Sequence, residues 1–345
     1  MKDISFGTIR IGETHPVVII AEVACQHGGD MANAKRLVDA AKKSGADIVK
    51  FQLHRPEAEM TPKSIQFWGG GMDEILARSK FSTYEEHKEL KTYCEKVGIV
   101  YLCTPFSKEA GDILERVGVS AFKTGSGELT NLPMIRHLAR KGKPLIISTG
   151  MCTLDEIDDV ASVCRKEQCD FMLTHCLSEY PPRYSDMNLR LIPELQERFG
   201  VPIGSSDHSP DWYSALAAVA LGAKVLEKHF TLPDLHGPDD VVSLTPIRFA
   251  EMVRAVRVVE QTLIKKPKNI SSSEQIVRNW AHHSVVTMDA VRAGDALCVD
   301  ALTAKRPGSG ILAKYLDPLH SEALAGKRFK KALPRNTVVR WEDIE

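Results

Sequence analysis

Two histidines stand at the ends of apolar runs in the middle of the chain. His208 follows the run 201–203, and His229 follows the run 223–226. If these runs are adjacent parallel strands, about 4.8 Å apart, the two imidazoles meet at one edge of the sheet. Such a pair can share one divalent ion and leave positions open for a substrate carbonyl. Each could also be an ordinary hydrogen-bonded histidine, so the neighbouring residues must decide.

Polar side chains also end the other apolar runs. Glu22 ends the first, and Lys50 and Gln52 occupy alternate positions of the second, so they share one face. Later runs end in further polar side chains: Thr104, Lys123, Ser126, Glu128, Ser148, Ser178, Tyr180 and Ser206. Lysines, hydroxyls and loop amides can surround a phosphate and a carboxylate, and Gly125 and Gly127 let the backbone approach an anion. The set predicts a metal-assisted reaction that joins a small anion to a carbonyl compound.

For the charged residues, structural roles stay open at this point. Lys50 and Lys123 can be salt-bridge partners instead of ligands, and Glu22 and Glu128 can pair with them instead of acting as a base or charge stabiliser. Tyr180 can be barrel packing. Either lysine can also be the amine of a Schiff-base aldolase, which borohydride would trap.

The elements that must position these groups follow a repeating pattern. An apolar, β-rich run alternates with an amphipathic segment such as 32–43 or 213–221. About eight alternations predict an α/β fold, a (β/α)₈ TIM barrel with its active site at the C-terminal strand ends. No Gly-x-Gly-x-x-Gly opens the first helix, which argues against a dinucleotide fold. The candidate strands are 17–21, 48–53, 100–103, 121–123, 145–148, 171–175, 201–204 and 225–229.

Three parts are expected along the chain. Residues 1–265 form the barrel domain, with an N-terminal hairpin that plugs one end, and 266–282 form a polar linker. Residues 283–345 form a small β domain, in which 293–302 resembles 335–344. Within the barrel, the connection from residue 56 to residue 84 is long enough to be a lid or binding loop.

Composition narrows the function classes. Lys+Arg and Asp+Glu are equal at 45 each, so no overall charge favours nucleic acid or an anionic membrane. No apolar run approaches the ~18 residues of a membrane span, and the first residues lack a signal-peptide core. A cytoplasmic protein is expected.

The eight cysteines include no Cys-x-x-Cys pair. They are expected to be reduced thiols, not a disulfide framework or a zinc site. A nucleophilic Cys176 or Cys103 remains an alternative, although neither has a base nearby in the sequence.

An ordered set of short motifs resembles the N-acetylneuraminate (sialic acid) synthase family of bacterial type. The resemblance covers essentially the whole chain, including a C-terminal part similar to the family's antifreeze-like (SAF, β-clip) domain. The motifs are Thr-Pro-Phe-Ser at 104–107, Gly-Ser-Gly-Glu-Leu-Thr-Asn at 125–131, Ser-Thr-Gly-Met at 148–151, Ser-Asp-His at 206–208, Glu-Lys-His-Phe-Thr at 227–231, Gly-Pro-Asp at 237–239 and Lys-Arg-Pro-Gly-Ser-Gly at 305–310.

The resemblance implies condensation of phosphoenolpyruvate with N-acetylmannosamine and water to give N-acetylneuraminate and phosphate. By matched motif, His208 and His229 hold a divalent metal, Mn²⁺, and Glu22 stabilises positive charge at C2 or steers the water. The phosphoenolpyruvate ligands are Lys50, Thr104, Lys123, Ser126, Ser148 and Ser206. The groups facing the sugar are Gln52, Glu128, Ser178, Tyr180, Asp239 and Arg306.

The family also implies a domain-swapped homodimer, because its arginine corresponding to Arg306 reaches the sugar from the partner subunit. Two features depart from the sialic acid synthase pattern: Ser178 replaces a usual asparagine, and the loop 231–237 is about one residue short. Both border the sugar pocket, so the acceptor stays open between N-acetylmannosamine and a 2,4-diacetamido sugar leading to legionaminic or pseudaminic acid, or another surface polysaccharide sugar. The loop 54–60 favours the sialic acid enzymes over the pseudaminic branch. A catalytically silent carbohydrate- or ice-binding protein is a third alternative.

Overall fold

The computed structural model describes residues 2–61 and 80–345. The chain divides into two compact units, Met1–Ile264 and Lys265–Glu345. The expected lid between residues 56 and 84 falls largely on 62–79, outside the described residues. Among the residues that are described, no helix is both long and apolar enough to cross a membrane.

The first unit is built on eight parallel strands, as the sequence predicts. In space their order is β5-β4-β3-β10-β9-β8-β7-β6, and the two end strands contact each other. The prediction of a (β/α)₈ barrel is therefore confirmed. The strands are β3 (Val18–Ala24), β4 (Ile48–Leu53), β5 (Val100–Pro105), β6 (Phe122–Thr124), β7 (Leu145–Ser148), β8 (Phe171–Cys176), β9 (Ile203–Asp207) and β10 (Val225–His229).

Helices cover the outside of this barrel and bury their apolar faces against the strands. Their ends follow local capping chemistry: Thr83 and Glu86 form a capping box at the start of α3, and Gly98 ends it at φ +77°. Within the described residues, the α-helices of the unit are α1 (Met31–Lys43), α2 (Pro56–Glu59), α3 (Tyr84–Val97), α4 (Lys108–Val117), α5 (Leu132–Ala139), α6 (Leu154–Lys166), α7 (Leu191–Phe199), α8 (Tyr213–Ala220) and α9 (Pro246–Thr262).

An antiparallel hairpin, β1 (Ile4–Phe6) and β2 (Ile9–Ile11), fills one end of the barrel. Its four apolar side chains join one buried cluster with the inward residues at the N-terminal ends of the strands. These strand residues are Val18, Ile20, Ile48, Leu102, Ala121, Ile146, Met172 and Val225. The hairpin therefore plugs the end of the barrel opposite to the predicted site.

Three strands continue by more than one residue beyond the C-terminal ends that the sequence pattern predicts. β3 continues past residue 21 to Ala24, β5 past residue 103 to Pro105 and β9 past residue 204 to Asp207. In all three, the added residues include polar side chains, which follow the apolar run in the sequence. The ladder nevertheless continues, because the barrel interior is polar at this end.

The second unit contains a helix and a small antiparallel sheet. The helix α10 (Ser272–Ala281) lies within 266–282, the segment expected to be a linker. The sheet pairs β11 (Ser284–Thr287) with β12 (Leu302–Lys305).

The internal repeat of the second unit has a structural counterpart. Gly294 and Asn336 occupy equivalent repeat positions, and both adopt left-handed backbone, at φ +85° and +60°. Each segment then ends in a 3₁₀ turn, Val299–Ala301 and Trp341–Asp343. The repeated sequence therefore encodes a repeated local conformation.

Candidate active site

A cavity of about 690 Å³ opens at the C-terminal ends of the barrel strands. Arg306 lies in the second unit. Every other predicted site residue lines the cavity: Glu22, Lys50, Gln52, Thr104, Lys123, Ser126, Glu128, Ser148, Ser178, Tyr180, Ser206, His208, His229 and Asp239. The structure thus gathers the predicted set, while the roles of its members remain predictions.

The alternation of side chains along each strand explains why these residues line one cavity. Alternate residues of a strand face the same side, so Glu227 and His229 point into the cavity from β10 while Lys228 points outward. The ladder register then aligns the strands side by side. It pairs Glu22 with Lys50 and, on its other side, Glu22 with His229.

Lys50 is the centre of a buried charge cluster. Its Nζ lies 3.1 Å from Glu22 Oε2 and 3.1 Å from Glu227 Oε1, and 3.2 Å from the Thr104 hydroxyl. Lys123 Nζ lies 3.8 Å from the same Glu227 oxygen. Two lysines therefore face two carboxylates, and all four side chains are almost fully buried. The charges balance, but their desolvation is costly.

The pKa values of the two carboxyl groups shift in opposite directions, because burial outweighs lysine at Glu22 and the lysines outweigh burial at Glu227. Burial would raise the pKa of Glu227, but Lys123, Lys50 and the Ser206 hydroxyl outweigh it, and the pKa falls below its usual value. Burial raises the pKa of Glu22, and Lys50 only partly opposes this. Glu227 is thus the fixed counter-charge of the lysines, and Glu22 is the carboxylate that can change protonation state near neutral pH.

Glu128 is a second carboxyl group with a raised pKa. Burial, with a contribution from nearby Glu59, raises the pKa of Glu128 to about 7. Among the described residues, its buried Oε2 atom has no hydrogen-bond partner. A carboxyl group in this state can hold or release a proton at neutral pH.

Hydroxyl groups line the wall next to the lysines. Ser126 Oγ donates to Ser148 Oγ at 3.0 Å and accepts from the Gly150 amide at 3.0 Å. A Cβ at Gly150 would fall 2.4 Å from the Ser178 hydroxyl and 2.6 Å from that of Ser126. Glycine at this position therefore permits the close packing of three hydroxyl groups.

The two histidine rings lie together at the opposite wall. Their centroids are 5.3 Å apart, and Tyr180 stacks on the His208 ring at 4.1 Å. His208 Nδ1 is held by the Leu177 carbonyl at 2.9 Å, so its Nε2 is left for another partner. Burial and the proximity of His208 lower the pKa of His229, so its ring is neutral as a ligand must be.

This pair fits a metal ion in its donor chemistry. Nδ1 of His229 is buried without a hydrogen-bond partner among the described residues, and Asp239 Oδ2 is 3.8 Å from it. In the part of the chain that the structure describes, no cluster of three or more His, Cys, Asp or Glu side chains is arranged to hold a metal. The protein would thus supply two imidazoles and leave the remaining positions open.

Glu227 is a site residue to which the sequence analysis gave no role. Its signal was available, because it stands two positions before His229 and therefore shares its face of the strand. His54 and Glu59 also line the cavity although no role was predicted for them.

The two cysteines considered as nucleophiles differ in position. Cys103 does not line the cavity; it is buried outside it, beside His87. Cys176 lies in the cavity, 3.9 Å from His208 Nδ1, but that nitrogen is already held by the Leu177 carbonyl. Burial would raise the pKa of Cys176, yet the His208 ring outweighs it and the pKa falls to about 7.

Comparisons with known proteins agree on one family. A model of the NeuB family matches residues 37–268. The N,N'-diacetyllegionaminic acid synthase of Campylobacter jejuni is 35% identical over 91% of this chain and 97% of its own length. The N-acetylneuraminate-9-phosphate synthase of Mus musculus is 35% identical over 97% of this chain and 94% of its own. A solved sialic acid synthetase from Leptospira borgpetersenii superposes with a TM-score of 0.73 at 32% identity, covering 80% of this chain and 95% of that one.

Proposed function

Because the chain belongs to the NeuB family, we propose that it condenses phosphoenolpyruvate with open-chain N-acetylmannosamine and water, giving N-acetylneuraminate and phosphate. The observation that carries this proposal is the placement of two buried lysines and several serine and threonine hydroxyl groups beside a histidine pair in one cavity. The lysines and hydroxyl groups suit an anion with a phosphate and a carboxylate. The histidine pair suits a polarised aldehyde.

Phosphoenolpyruvate binds where Lys50 and Lys123 meet the hydroxyl groups. The amino groups of the two lysines already lie beside Glu22 and Glu227, so the substrate would join a prepared cluster. Its ligands are Lys50, Thr104, Lys123, Ser126, Ser148 and Ser206.

A divalent metal, Mn²⁺ in this proposal, would be held by His208 and His229. When bound, it supplies Lewis-acid polarisation of the sugar's aldehyde. The donors fit, since both rings face the cavity and the buried His229 nitrogen lacks another hydrogen-bond partner within the described chain. Replacement of His208 by alanine should abolish metal binding while the fold stays intact, and unchanged metal content by elemental analysis would refute the assignment.

The carboxyl groups handle charge and protons. C3 of phosphoenolpyruvate attacks the aldehyde carbon, and the aldehyde oxygen takes a proton, for which the carboxyl group of Glu128 is suited. Positive charge develops at C2, beside the Glu22 carboxylate. Water adds there and loses a proton to Glu22. The proton of the new C2 hydroxyl then passes to the departing phosphate as the C–O bond to phosphate breaks and the 2-keto group forms.

The acceptor sugar has a second candidate. The relative from Campylobacter jejuni is named for diacetyllegionaminic acid, so a 2,4-diacetamido sugar could replace N-acetylmannosamine in the same reaction. Phosphate release and product mass, measured with phosphoenolpyruvate and both sugars, test the two. Turnover of the diacetamido sugar alone would overturn N-acetylmannosamine as substrate.

Further experiments distinguish this reaction from other functions. Inhibition by a chelator and recovery with Mn²⁺ support the metal-dependent reaction, whereas borohydride trapping of Lys50 or Lys123 would support a Schiff-base aldolase. No turnover with any sugar, together with sugar binding, would favour a non-catalytic carbohydrate-binding protein.

The active enzyme is proposed to be a domain-swapped homodimer in which Arg306 reaches the partner subunit's sugar. One observation supports association: α10 exposes Ile276, Val277 and Trp280, and the Arg306 guanidinium lies 5.0 Å from the centre of the Trp280 ring. Mixing Glu22→Ala chains with Arg306→Ala chains should restore part of the activity, because one site of each mixed dimer is then whole. Mixed dimers without restored activity would exclude an arginine acting in trans.

A further inference from the structure

A side chain outside the predicted set contacts one of its members at the cavity wall. His54 follows β4, and its Nε2 lies 3.1 Å from Gln52 Oε1. Its Nδ1 lies 2.9 Å from Glu59 Oε2, and its ring stacks on Phe106 with centroids 4.0 Å apart and planes at 13°. The ring is therefore held on both edges and on one face.

Gln52 connects this ring to the charge cluster. Its Nε2 donates to Glu22 Oε1 at 2.9 Å, while its oxygen faces the His54 ring and, at 3.9 Å, the Cys25 thiol. A glutamine amide can turn over about its last torsion at little cost, so its partners must choose the orientation. Here a donor at His54 Nε2 holds the oxygen, and this leaves only the amino group to face Glu22.

The partners also determine where the His54 proton must be. An amide oxygen only accepts, so the contact with Gln52 requires a proton on Nε2, and the contact between Nδ1 and Glu59 Oε2 requires a second proton, carried by either of its two atoms. Glu59 is fixed in turn, since its other oxygen accepts from the Arg55 amide at the start of α2. The chain of contacts thus runs from α2 through His54 and Gln52 to Glu22.

We propose that His54 is a positioning residue that sets the amide orientation of Gln52 and so keeps a hydrogen-bond donor on the Glu22 carboxylate. This inference rests on the proposed function, in which ionised Glu22 stabilises positive charge at C2. With the amide turned over, its oxygen would face Glu22 Oε1 and favour the protonated carboxyl group, which cannot stabilise that charge.

Three substitutions distinguish this role from purely structural support of the cavity wall. His54→Gln places an N–H donor near the former Nε2 and can still hold Gln52. His54→Asn places its amide near the former Nδ1 and can contact only Glu59. His54→Phe retains the stacking on Phe106 and removes both nitrogen contacts. A matched control is His137→Phe, which removes an imidazole paired with Asp112 on the barrel surface.

The measurement is phosphate release with phosphoenolpyruvate and the accepted sugar, with kcat and each KM determined separately. His54→Gln and His137→Phe should stay within about 3-fold of the parent protein, while His54→Asn and His54→Phe should lose about 10- to 100-fold in kcat with little change in the KM for phosphoenolpyruvate. In a Gln52→Met background, His54→Phe should cause less than about a 2-fold further loss, because the two residues act in series.

Other outcomes overturn the inference. His54→Asn as active as His54→Gln, or losses that multiply in the Gln52→Met background, would show that His54 does not act through Gln52. If His54→Phe fails to fold, the glutamine and asparagine variants still decide. Failure of the parent protein to release phosphate with any sugar would instead refute the proposed function, so the two failures are distinguishable.

Discussion

The two ends of the barrel differ completely although the same strands build both. At the hairpin end the interior is an apolar cluster, and at the cavity end it is a cluster of buried charges. The change occurs within two residues along one face of a strand, as from Ile20 to Glu22, from Ile146 to Ser148 and from Val225 to Glu227.

The two ends of the barrel therefore contribute differently to stability and to the candidate active site. At the hairpin end, burial of apolar side chains stabilises the barrel, and no charged partner has to be positioned there. At the cavity end, each buried charge is tolerated only because a partner of opposite sign lies next to it. Substitutions at the two ends should therefore fail in different ways.

The largest effect on activity is expected from Lys50→Met. It leaves Glu22 and Glu227 facing each other without the ammonium group between them. The free energy of unfolding should fall by about 3 kcal/mol, and kcat/KM should fall at least about 100-fold. Chemical denaturation and the phosphate-release assay measure the two losses.

The control for this substitution is Lys2→Met. Lys2 pairs with Asp170, but the two side chains are 76% and 45% exposed. Its removal should change the free energy of unfolding by less than about 1 kcal/mol. Equal losses in the two variants would mean that the cavity charges are not energetically distinct from surface charges.

A second pair of substitutions on one strand tests the division directly. Ile146→Ala at the hairpin end should lower the free energy of unfolding by about 2–5 kcal/mol and leave kcat and KM unchanged while the protein is folded. Ser148→Ala, two residues further on the same face, should raise the KM for phosphoenolpyruvate about 10-fold with little effect on stability. A loss of activity in Ile146→Ala below its unfolding temperature would show that the ends are coupled.

The final prediction concerns the pH dependence of stability that arises from Glu128. Burial raises the pKa of Glu128 to about 7 in the folded protein, from about 4.3 in the unfolded chain. Between these values the folded state binds more protons, so this group's contribution to stability is present below about pH 4.3 and is lost as the pH rises towards 7. Glu128→Gln should remove this pH-dependent loss of stability, because the glutamine side chain does not titrate.

In measurable terms, the stability of Glu128→Gln relative to the parent protein should increase by about 2–3 kcal/mol between pH 5 and pH 8. The variant should be less active throughout. Thermal unfolding at both pH values checks this, and a relative stability that does not increase would contradict the raised pKa.

Much of the barrel was predictable because strand and helix periods are local. Apolar runs and amphipathic segments repeat along the chain, and the eight strands all appear where such runs occur. The exceptions are the ends of β3, β5 and β9, where polar residues continue a strand. The sequence pattern signals burial in an apolar core, so it cannot show a strand that continues into a polar interior.

The sequence by itself determined which chemical groups stand at the strand ends and, through the alternation of side chains, which of them share a face. Only the tertiary structure decided how they pair: that Lys50 lies between Glu22 and Glu227, and that His54 reaches Gln52. These contacts depend on strand order, register and burial around the whole barrel. Such long-range contacts cannot be predicted from the spacing of residues along the chain. They control which carboxyl group keeps its charge.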